Sequence, residues 1–170
     1  MGKIIAICGK ICSGKTYYAN KLKNKENSVI LSCDELTSAL FDNNLGEKHD
    51  EMSGRIWKYL LGKSVDIAKT NTNVILDWGF WSKKDRELIN EYFKEKNIQL
   101  EWHFIDIDKN SWHKNIEERN QKILLGKGEG DYYLDEGLMK KLLCKWEEPQ
   151  RNEIDVWINF TRQNNLKVKV

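Results

Sequence analysis

Residues 3–16 read KIIAICGKICSGKT, and this stretch decides how the rest of the chain is interpreted. Residues 3–8 form a short apolar run, rich in β-branched side chains and bounded by Gly9, which predicts a buried strand. A helical pattern follows over residues 15–23. The stretch therefore predicts a strand, a glycine-containing loop and a helix in immediate succession.

The loop of this stretch matches the Walker A pattern G-x-x-x-x-G-K-[ST] at every fixed position. Its two glycines let backbone N–H groups turn inward around a phosphate without Cβ clashes. In this pattern Lys15 reaches the β- and γ-phosphates, and the Thr16 hydroxyl is placed to ligate Mg²⁺. A glycine turn that happens to hold lysine and threonine is the alternative, and the strand–loop–helix context argues against it. The predicted nucleotide-binding residues are Gly9, Lys10, Ile11, Cys12, Ser13, Gly14, Lys15 and Thr16.

The rest of the chain alternates short apolar runs with helical patterns, which predicts an α/β fold with a parallel sheet and helices on both faces. We expect one domain over residues 1–170, because the length fits a single domain. Further strands are predicted at residues 28–32, 73–77 and 99–107, with an edge strand at 166–170. Further helices are predicted from Asp34, over about 51–69, after a Ser82/Asp85 capping box, over 111–125 and over about 135–146.

Composition narrows the class of protein but leaves its substrate open. The 28 Lys and Arg against 26 Asp and Glu give a net charge of +2, too small to argue for nucleic acid or membrane partners. The sequence holds no apolar run of roughly 18–20 residues and no signal-peptide pattern at its start. Because the four cysteines show no CxxC spacing, we expect reduced thiols, no zinc site and a cytoplasmic location.

Two aspartates follow predicted strands, at the carboxyl edge of the sheet where ligands bind in open α/β folds. Asp34, after residues 28–32, is suited to accept the proton of an attacking hydroxyl, or simply to N-cap its helix. Asp77 ends the run 73–77 like a short Walker B motif, and is suited to hold Mg²⁺ or to orient the acceptor. The residues leave open which of the two is the base.

An aromatic cluster and one arginine are the remaining candidates. Trp78, Phe80 and Trp81 follow Asp77 directly, where they either stack on a flat or sugar-like acceptor or pack in the core. Arg119 lies on the apolar stripe of the helix 111–125 and needs a partner. It either closes on the transferring phosphoryl group, with a lid over about residues 120–140, or pairs with a carboxylate such as that of Asp135.

Five segments, in this order and spacing, resemble the small P-loop kinases grouped with polynucleotide 5′-kinase domains, zeta toxins and chloramphenicol phosphotransferase. The group includes AAA-type ATP-binding proteins and falls in the adenylate-kinase-like class. The segments are GKICSGKT, VILSCDEL, VILDWGFWSKKDRE, Glu118-Arg119-Asn120 and WEEPQRNE. The resemblance implies a five-stranded parallel sheet with a helical lid, Mg·ATP as donor and a hydroxyl-bearing acceptor. It also implies that Asp34 is the general base and that Arg119 is the lid arginine.

The favoured hypothesis is an ATP-dependent phosphotransferase that acts on a hydroxyl of a small molecule of the antibiotic, nucleoside or sugar-nucleotide type. One alternative is a polynucleotide 5′-hydroxyl kinase, which would need a basic groove for the strand. Another is an ATPase or nucleotide-binding switch without an acceptor. ATP is favoured over GTP because no N/T-K-x-D motif is present. The sequence leaves open the acceptor, the adenine contacts and the oligomeric state.

Overall fold

The computed structural model describes residues 1–41, 46–127, 132–162 and 167–169, the last stretch by its backbone alone. In this part of the chain, none of the helices is long and apolar enough to cross a membrane. The strands are β1 (Ile4–Cys8), β2 (Ser28–Ser32), β3 (Asn73–Asp77), β4 (Leu100–Ile107), β5 (Val156–Phe160) and β6 (Lys167–Lys169). The α-helices are α1 (Lys15–Lys25), α2 (Cys33–Phe41), α3 (His49–Ala68), α4 (Lys83–Glu95), α5 (Lys109–Leu124) and α6 (Glu136–Leu143).

The strands form one sheet in the order β2-β3-β1-β4-β5-β6. The first five pair in parallel, and β6 lies antiparallel to β5 at the edge. The predicted fold class, a P-loop fold with a five-stranded parallel sheet, is therefore confirmed. The fifth parallel strand, Val156–Phe160, was not predicted, and the predicted edge strand at 166–170 is the antiparallel β6.

The central strand β1 is completely buried, because helices cover both faces of the sheet. Ile4, Ala6 and Cys8 pack on the face covered by α3 and α4. Ile5 and Ile7 pack on the opposite face with Tyr18, Ala19 and Leu22 of α1. This two-sided burial explains why β1 reads as a continuous apolar run rather than as an alternating one.

The register of the parallel strands brings three segments together at the carboxyl edge of the sheet. Asp77, the last residue of β3, pairs with Ile7 of β1 on one side and with Ser32 of β2 on the other. The loop after β1 and the start of α2 after β2 therefore flank Asp77. The predicted capping box of α4 is confirmed, since Ser82 and Asp85 each accept a hydrogen bond from the other's backbone N–H.

Candidate functional site

The loop of residues 9–16, called here the phosphate loop, connects β1 to α1, and its two glycines are needed for different reasons. Gly14 has φ 94°, in the left-handed region that side chains disfavour. A Cβ on Gly9 would lie 2.6 Å from Ser13 Oγ and 3.1 Å from the Ile105 carbonyl oxygen, so a larger residue there would force its neighbours to move. Cys12 is also left-handed, with φ 58°. The loop is thus a strained, tightly folded backbone.

Lys15 folds back over the phosphate loop. Its ammonium donates hydrogen bonds to the carbonyl oxygens of Gly9, at 3.0 Å, and Lys10, at 2.9 Å. Burial lowers the pKa of Lys15, and the charges of Asp77 and Asp34 oppose that shift. A half-buried ammonium favours an anion beside it, because the negative charge offsets the cost of removing the ammonium from water.

Thr16 and Asp77, the two residues predicted to hold Mg²⁺, are in direct contact. The Thr16 hydroxyl donates to Asp77 Oδ2 at 2.7 Å. Asp77 is 6% exposed, and burial raises its pKa, whereas the Thr16 hydrogen bond and the charge of Lys15 lower it. One carboxylate and one hydroxyl beside a phosphate site form a donor set that suits Mg²⁺, which commonly takes one or two protein oxygens together with phosphate oxygens.

Ser13 gives a further test of whether a phosphate group fits the loop. The residue is fully buried, and its hydroxyl has no hydrogen-bond partner among the residues that the structure describes. Buried hydroxyls are normally paired, so an orphaned one marks a place for a ligand or an ordered water. With the Lys15 ammonium on the same loop, the residues present fit the phosphates of a nucleotide.

Asp34 lies in the first turn of α2 with its side chain exposed to solvent. The acceptor that caps this turn is Ser32, whose hydroxyl accepts from the Glu35 N–H at 3.2 Å. The Asp34 charge opposes the lowering of the Lys15 pKa and adds to the raising of the Asp77 pKa, so the three groups share one edge of the sheet. Asp34 is therefore an exposed carboxylate beside the phosphate loop.

The two tryptophans predicted to contact the acceptor occupy different environments. Trp78 is 3% exposed, its indole N–H donates to the Leu31 carbonyl at 2.9 Å, and its ring packs against Trp57 and Phe80. This geometry favours the core-packing alternative for Trp78. Trp81 is half-buried and lines a narrow cleft beside the phosphate loop. The other residues that line the cleft are Lys10, Ile11, Leu142, Leu143 and Trp146.

Helix α5 presents three side chains to the phosphate loop, at positions i, i+3 and i+7. The Trp112 indole N–H donates to the Ile11 carbonyl at 2.7 Å, and the Asn115 amide donates to the Cys12 carbonyl at 2.9 Å. Arg119 Nη1 lies 3.9 Å from Cys12 Sγ. Sequence reasoning assigned Trp112 to packing and missed Asn115, although their helical spacing with Arg119 is a signal that could have linked the three.

Arg119 therefore lies beside the phosphate loop, and its role on a phosphoryl group stays a prediction. Its guanidinium stacks over the Tyr132 ring at 4.9 Å. Asp135, the alternative partner, caps α6 by accepting from the Leu138 N–H at 2.7 Å. The centre of the predicted lid, residues 128–131, lies outside the described residues.

The late WEEPQRNE stretch is tied to the start of α4. Arg86, 2% exposed, donates from Nε to Glu153 at 2.8 Å and from Nη1 to the Glu147 carbonyl at 3.0 Å. The Glu147 N–H donates to the Trp81 carbonyl at 2.8 Å. These bonds hold the end of α6 against the aromatic segment, so this stretch shapes the cleft beside Trp81.

Residues 4–124 match the family model AAA_33, described as an AAA domain. No curated protein matches the chain by sequence.

Solved structures resemble the chain in fold at low sequence identity. A chain of the Pnkp1/Rnl/Hen1 RNA repair complex is 18% identical, with TM-score 0.67, over 85% of this chain and 43% of that one. Kti12 of Chaetomium thermophilum, in complex with ADP-AlF3, is 15% identical, with TM-score 0.66, over 95% and 90%. The APS kinase CysC of Mycobacterium tuberculosis, in complex with AMPPNP and APS, is 16% identical, with TM-score 0.63, over 95% and 90%.

At these identities the structures establish the fold alone, and the matched family covers most of the chain. The chain belongs to the AAA domain family AAA_33.

Proposed function

We propose that the chain is an ATP-dependent phosphotransferase that moves the γ-phosphoryl group of Mg·ATP to a hydroxyl of a small molecule. The observation that carries the proposal is the exposed Asp34 carboxylate at the edge that also holds Lys15 and the Thr16–Asp77 pair. A nucleotide switch needs only the phosphate loop and the metal ligands. A kinase also needs a carboxylate that can reach the acceptor hydroxyl.

On the donor side, residues 9–16 would hold the ATP phosphates. Lys15 would exchange its bonds to the Gly9 and Lys10 carbonyls for phosphate oxygens, and the Ser13 hydroxyl would gain the partner it lacks among the described residues. Thr16 and Asp77 would hold Mg²⁺, directly or through water. Bound Mg·ATP supplies the phosphoryl group and the metal charge that neutralises its oxygens.

On the acceptor side, Asp34 would receive the proton of the attacking hydroxyl. The acceptor oxygen bonds to the γ-phosphorus, the bond from that phosphorus to the bridging oxygen breaks, and ADP leaves with the bonding electrons. The proton held by Asp34 then passes to solvent. Arg119, which already lies against Cys12 of the phosphate loop, would stabilise the charge that spreads over the phosphoryl oxygens.

The test is mass spectrometry of a pooled panel of hydroxyl compounds after incubation with Mg·ATP and the purified protein. The panel would hold nucleosides, antibiotics, sugar nucleotides and a 5′-hydroxyl oligonucleotide. Lys15→Ala serves as the inactive control, and Lys23→Ala, an exposed lysine of the same helix, as the matched active one.

A phosphorylated small molecule, made by the wild type but not by Lys15→Ala, is the expected result. A phosphorylated oligonucleotide would replace the proposal with a polynucleotide 5′-kinase. ADP formed at the same rate with and without the panel, and with no phosphorylated product, would replace it with an ATPase or switch.

A further inference from the structure

We propose that Trp112 and Asn115 are positioning residues that hold the phosphate loop in its phosphate-binding conformation. The proposal rests on one part of the proposed function, the binding of a nucleoside triphosphate at this loop. It assigns a role to two side chains that lie outside the loop motif. They bond to consecutive carbonyl oxygens, those of Ile11 and Cys12, at 2.7 and 2.9 Å.

These two bonds determine which way the loop amides point. In a trans peptide the C=O and N–H groups point in opposite directions, so a carbonyl drawn toward α5 turns the following N–H away from α5. The N–H of Ser13, which follows the Cys12 carbonyl, points to the Lys10 carbonyl at 3.2 Å. That carbonyl also accepts from the Lys15 ammonium at 2.9 Å. The peptide that Asn115 holds therefore directs the Ser13 N–H into an internal bond of the loop, to the same carbonyl that accepts from the Lys15 ammonium.

The two hydrogen bonds from Trp112 and Asn115, called the clamp below, act beside the strained residue of the loop. Cys12 has φ 58°, a conformation that disfavours a residue with a Cβ. Without a partner for its carbonyl, this residue could relax to an ordinary conformation and turn the neighbouring amides out of the loop. Two hydrogen bonds from a regular helix oppose that relaxation, because α5 is fixed by its own backbone ladder.

The orientation of the Asn115 amide is itself fixed. Its oxygen accepts from Arg162 Nε and Nη2, at 3.1 and 2.9 Å, and a guanidinium can only donate. The amide nitrogen must then face the Cys12 carbonyl. Arg162 is held in turn by Glu118, one turn further along α5. A chain of polar contacts therefore runs from the end of β5, through α5, to the phosphate loop.

The test compares the affinity for Mg·ATP of the wild type, Trp112→Phe and Asn115→Ala by isothermal titration calorimetry. Trp112→Phe keeps an aromatic ring and removes the indole donor together with part of the ring's volume. Each variant should bind Mg·ATP about 3- to 10-fold more weakly, the fold-change expected for one lost hydrogen bond. Amide hydrogen exchange over residues 9–16 should become faster in both variants.

Trp157→Phe is the matched control, because it also loses one indole donor, whose acceptor is Asp106 at 3.0 Å and not the phosphate loop. It should lower Tm at least as much as Trp112→Phe and leave Mg·ATP affinity within about twofold, less than the loss of one loop hydrogen bond. Arg162→Ala, which leaves the Asn115 amide in place but unoriented, should weaken binding by less than Asn115→Ala does. It carries the test if Asn115→Ala does not fold.

The two proposals fail in different ways. If the wild type binds Mg·ATP and both Trp112→Phe and Asn115→Ala bind it equally well, the clamp is overturned and the proposed function stands. If the wild type binds no Mg·ATP, both are overturned. If Trp157→Phe weakens binding as much as Trp112→Phe, the effect is a general loss of stability and the clamp is again overturned.

Discussion

The two halves of the candidate site differ in how firmly they are built. The donor half, residues 9–16 with Asp77, has a closely packed Gly9, a folded-back Lys15 and hydrogen bonds to α1, β3 and α5. The acceptor half, Asp34, Trp81 and α6, contains an exposed carboxylate and a narrow aromatic cleft. Under the proposed function, this difference would make phosphate binding a property of the packed loop and acceptor choice a property of a few surface side chains.

The largest effect is expected from removing the proposed base, which belongs to the acceptor half alone. Asp34→Asn removes the proposed base while leaving every contact of the donor half in place. We expect kcat to fall by about 10²- to 10⁴-fold, the usual contribution of general acid–base catalysis, with little change in the Kd of Mg·ATP. Steady-state kinetics on the identified acceptor and calorimetry with Mg·ATP measure the two quantities.

The matched control is Glu35→Gln, the adjacent exposed carboxylate on the same helix, which should keep full activity. Retention of transfer by Asp34→Asn would move the base to another group, with Asp77 the next candidate.

The next largest effect is expected from a substitution in the donor half that lowers the affinity for Mg·ATP. Gly9→Ala places a methyl group 2.6 Å from Ser13 Oγ and 3.1 Å from the Ile105 carbonyl, so the Ser13 side chain and its surroundings must move. We expect Mg·ATP affinity to fall by about 5- to 150-fold, the factor that corresponds to the typical overpacking cost of about 1–3 kcal/mol. Calorimetry gives the affinity, and thermal unfolding gives the accompanying loss of stability.

Gly54→Ala is the control for this substitution. Gly54 lies within the exposed face of α3 with open space around it, so alanine there should stabilise the fold by about 0.5–1 kcal/mol and leave binding unchanged. Equal binding by the Gly9→Ala variant would show that the loop tolerates displacement.

The sequence predicted the phosphate loop because the loop follows a contiguous motif. Gly14 answers a local backbone requirement, its left-handed φ, and Gly9 answers the close approach of Ser13 and Ile105, yet both stand at fixed positions that a motif can express. The clamp from α5 could not be found in this way, because Trp112 and Asn115 reach carbonyls 101 and 103 residues away. On their own helix they look like an ordinary packing tryptophan and a surface amide.

Strand β5 was not predicted either, and the reason is again a contact that is distant in the sequence. Its residues Val156–Phe160 are mostly half-buried, and the strand is short and follows a polar stretch. Its place in the sheet is decided by pairing with β4, which the local sequence pattern does not contain.

The sequence also left two interpretations of Trp78 open, core packing and a wall of the acceptor site, because an aromatic cluster at a strand end suits both. Only the packing against Trp57 and Phe80 separates these environments.

A smaller effect tests the acceptor half. Trp81→Leu removes the half-buried ring from the cleft, and we expect the KM of the acceptor to rise about 3- to 10-fold, in line with the energy of one aromatic contact. The Kd of Mg·ATP should be unchanged. Trp78→Phe, by contrast, should lower Tm through the lost bond to Leu31 and leave the acceptor KM unaltered. The reverse pattern would assign the acceptor wall to Trp78.

The smallest effect concerns the contact between α1 and the sheet, where Tyr18 of α1 hydrogen-bonds to His103 of β4 at 2.8 Å. His103 is 5% exposed, and burial lowers its pKa below the ordinary value of 6.5. As the pH falls below about 6.5, the unfolded chain binds a proton that the folded chain excludes, so the free energy of unfolding decreases. His103 alone changes the free energy of unfolding by at most about 1.4 kcal/mol per pH unit, and this dependence ends at the lowered pKa of the folded state.

Urea unfolding of the wild type and His103→Gln between pH 5 and 7.5 measures this slope of unfolding free energy against pH, with exposed His113→Gln as the control. An equal slope in His103→Gln and the wild type would show that His103 does not couple stability to pH. A slope lost in His103→Gln and kept in His113→Gln would show that the buried imidazole of His103 couples the stability of the fold to pH.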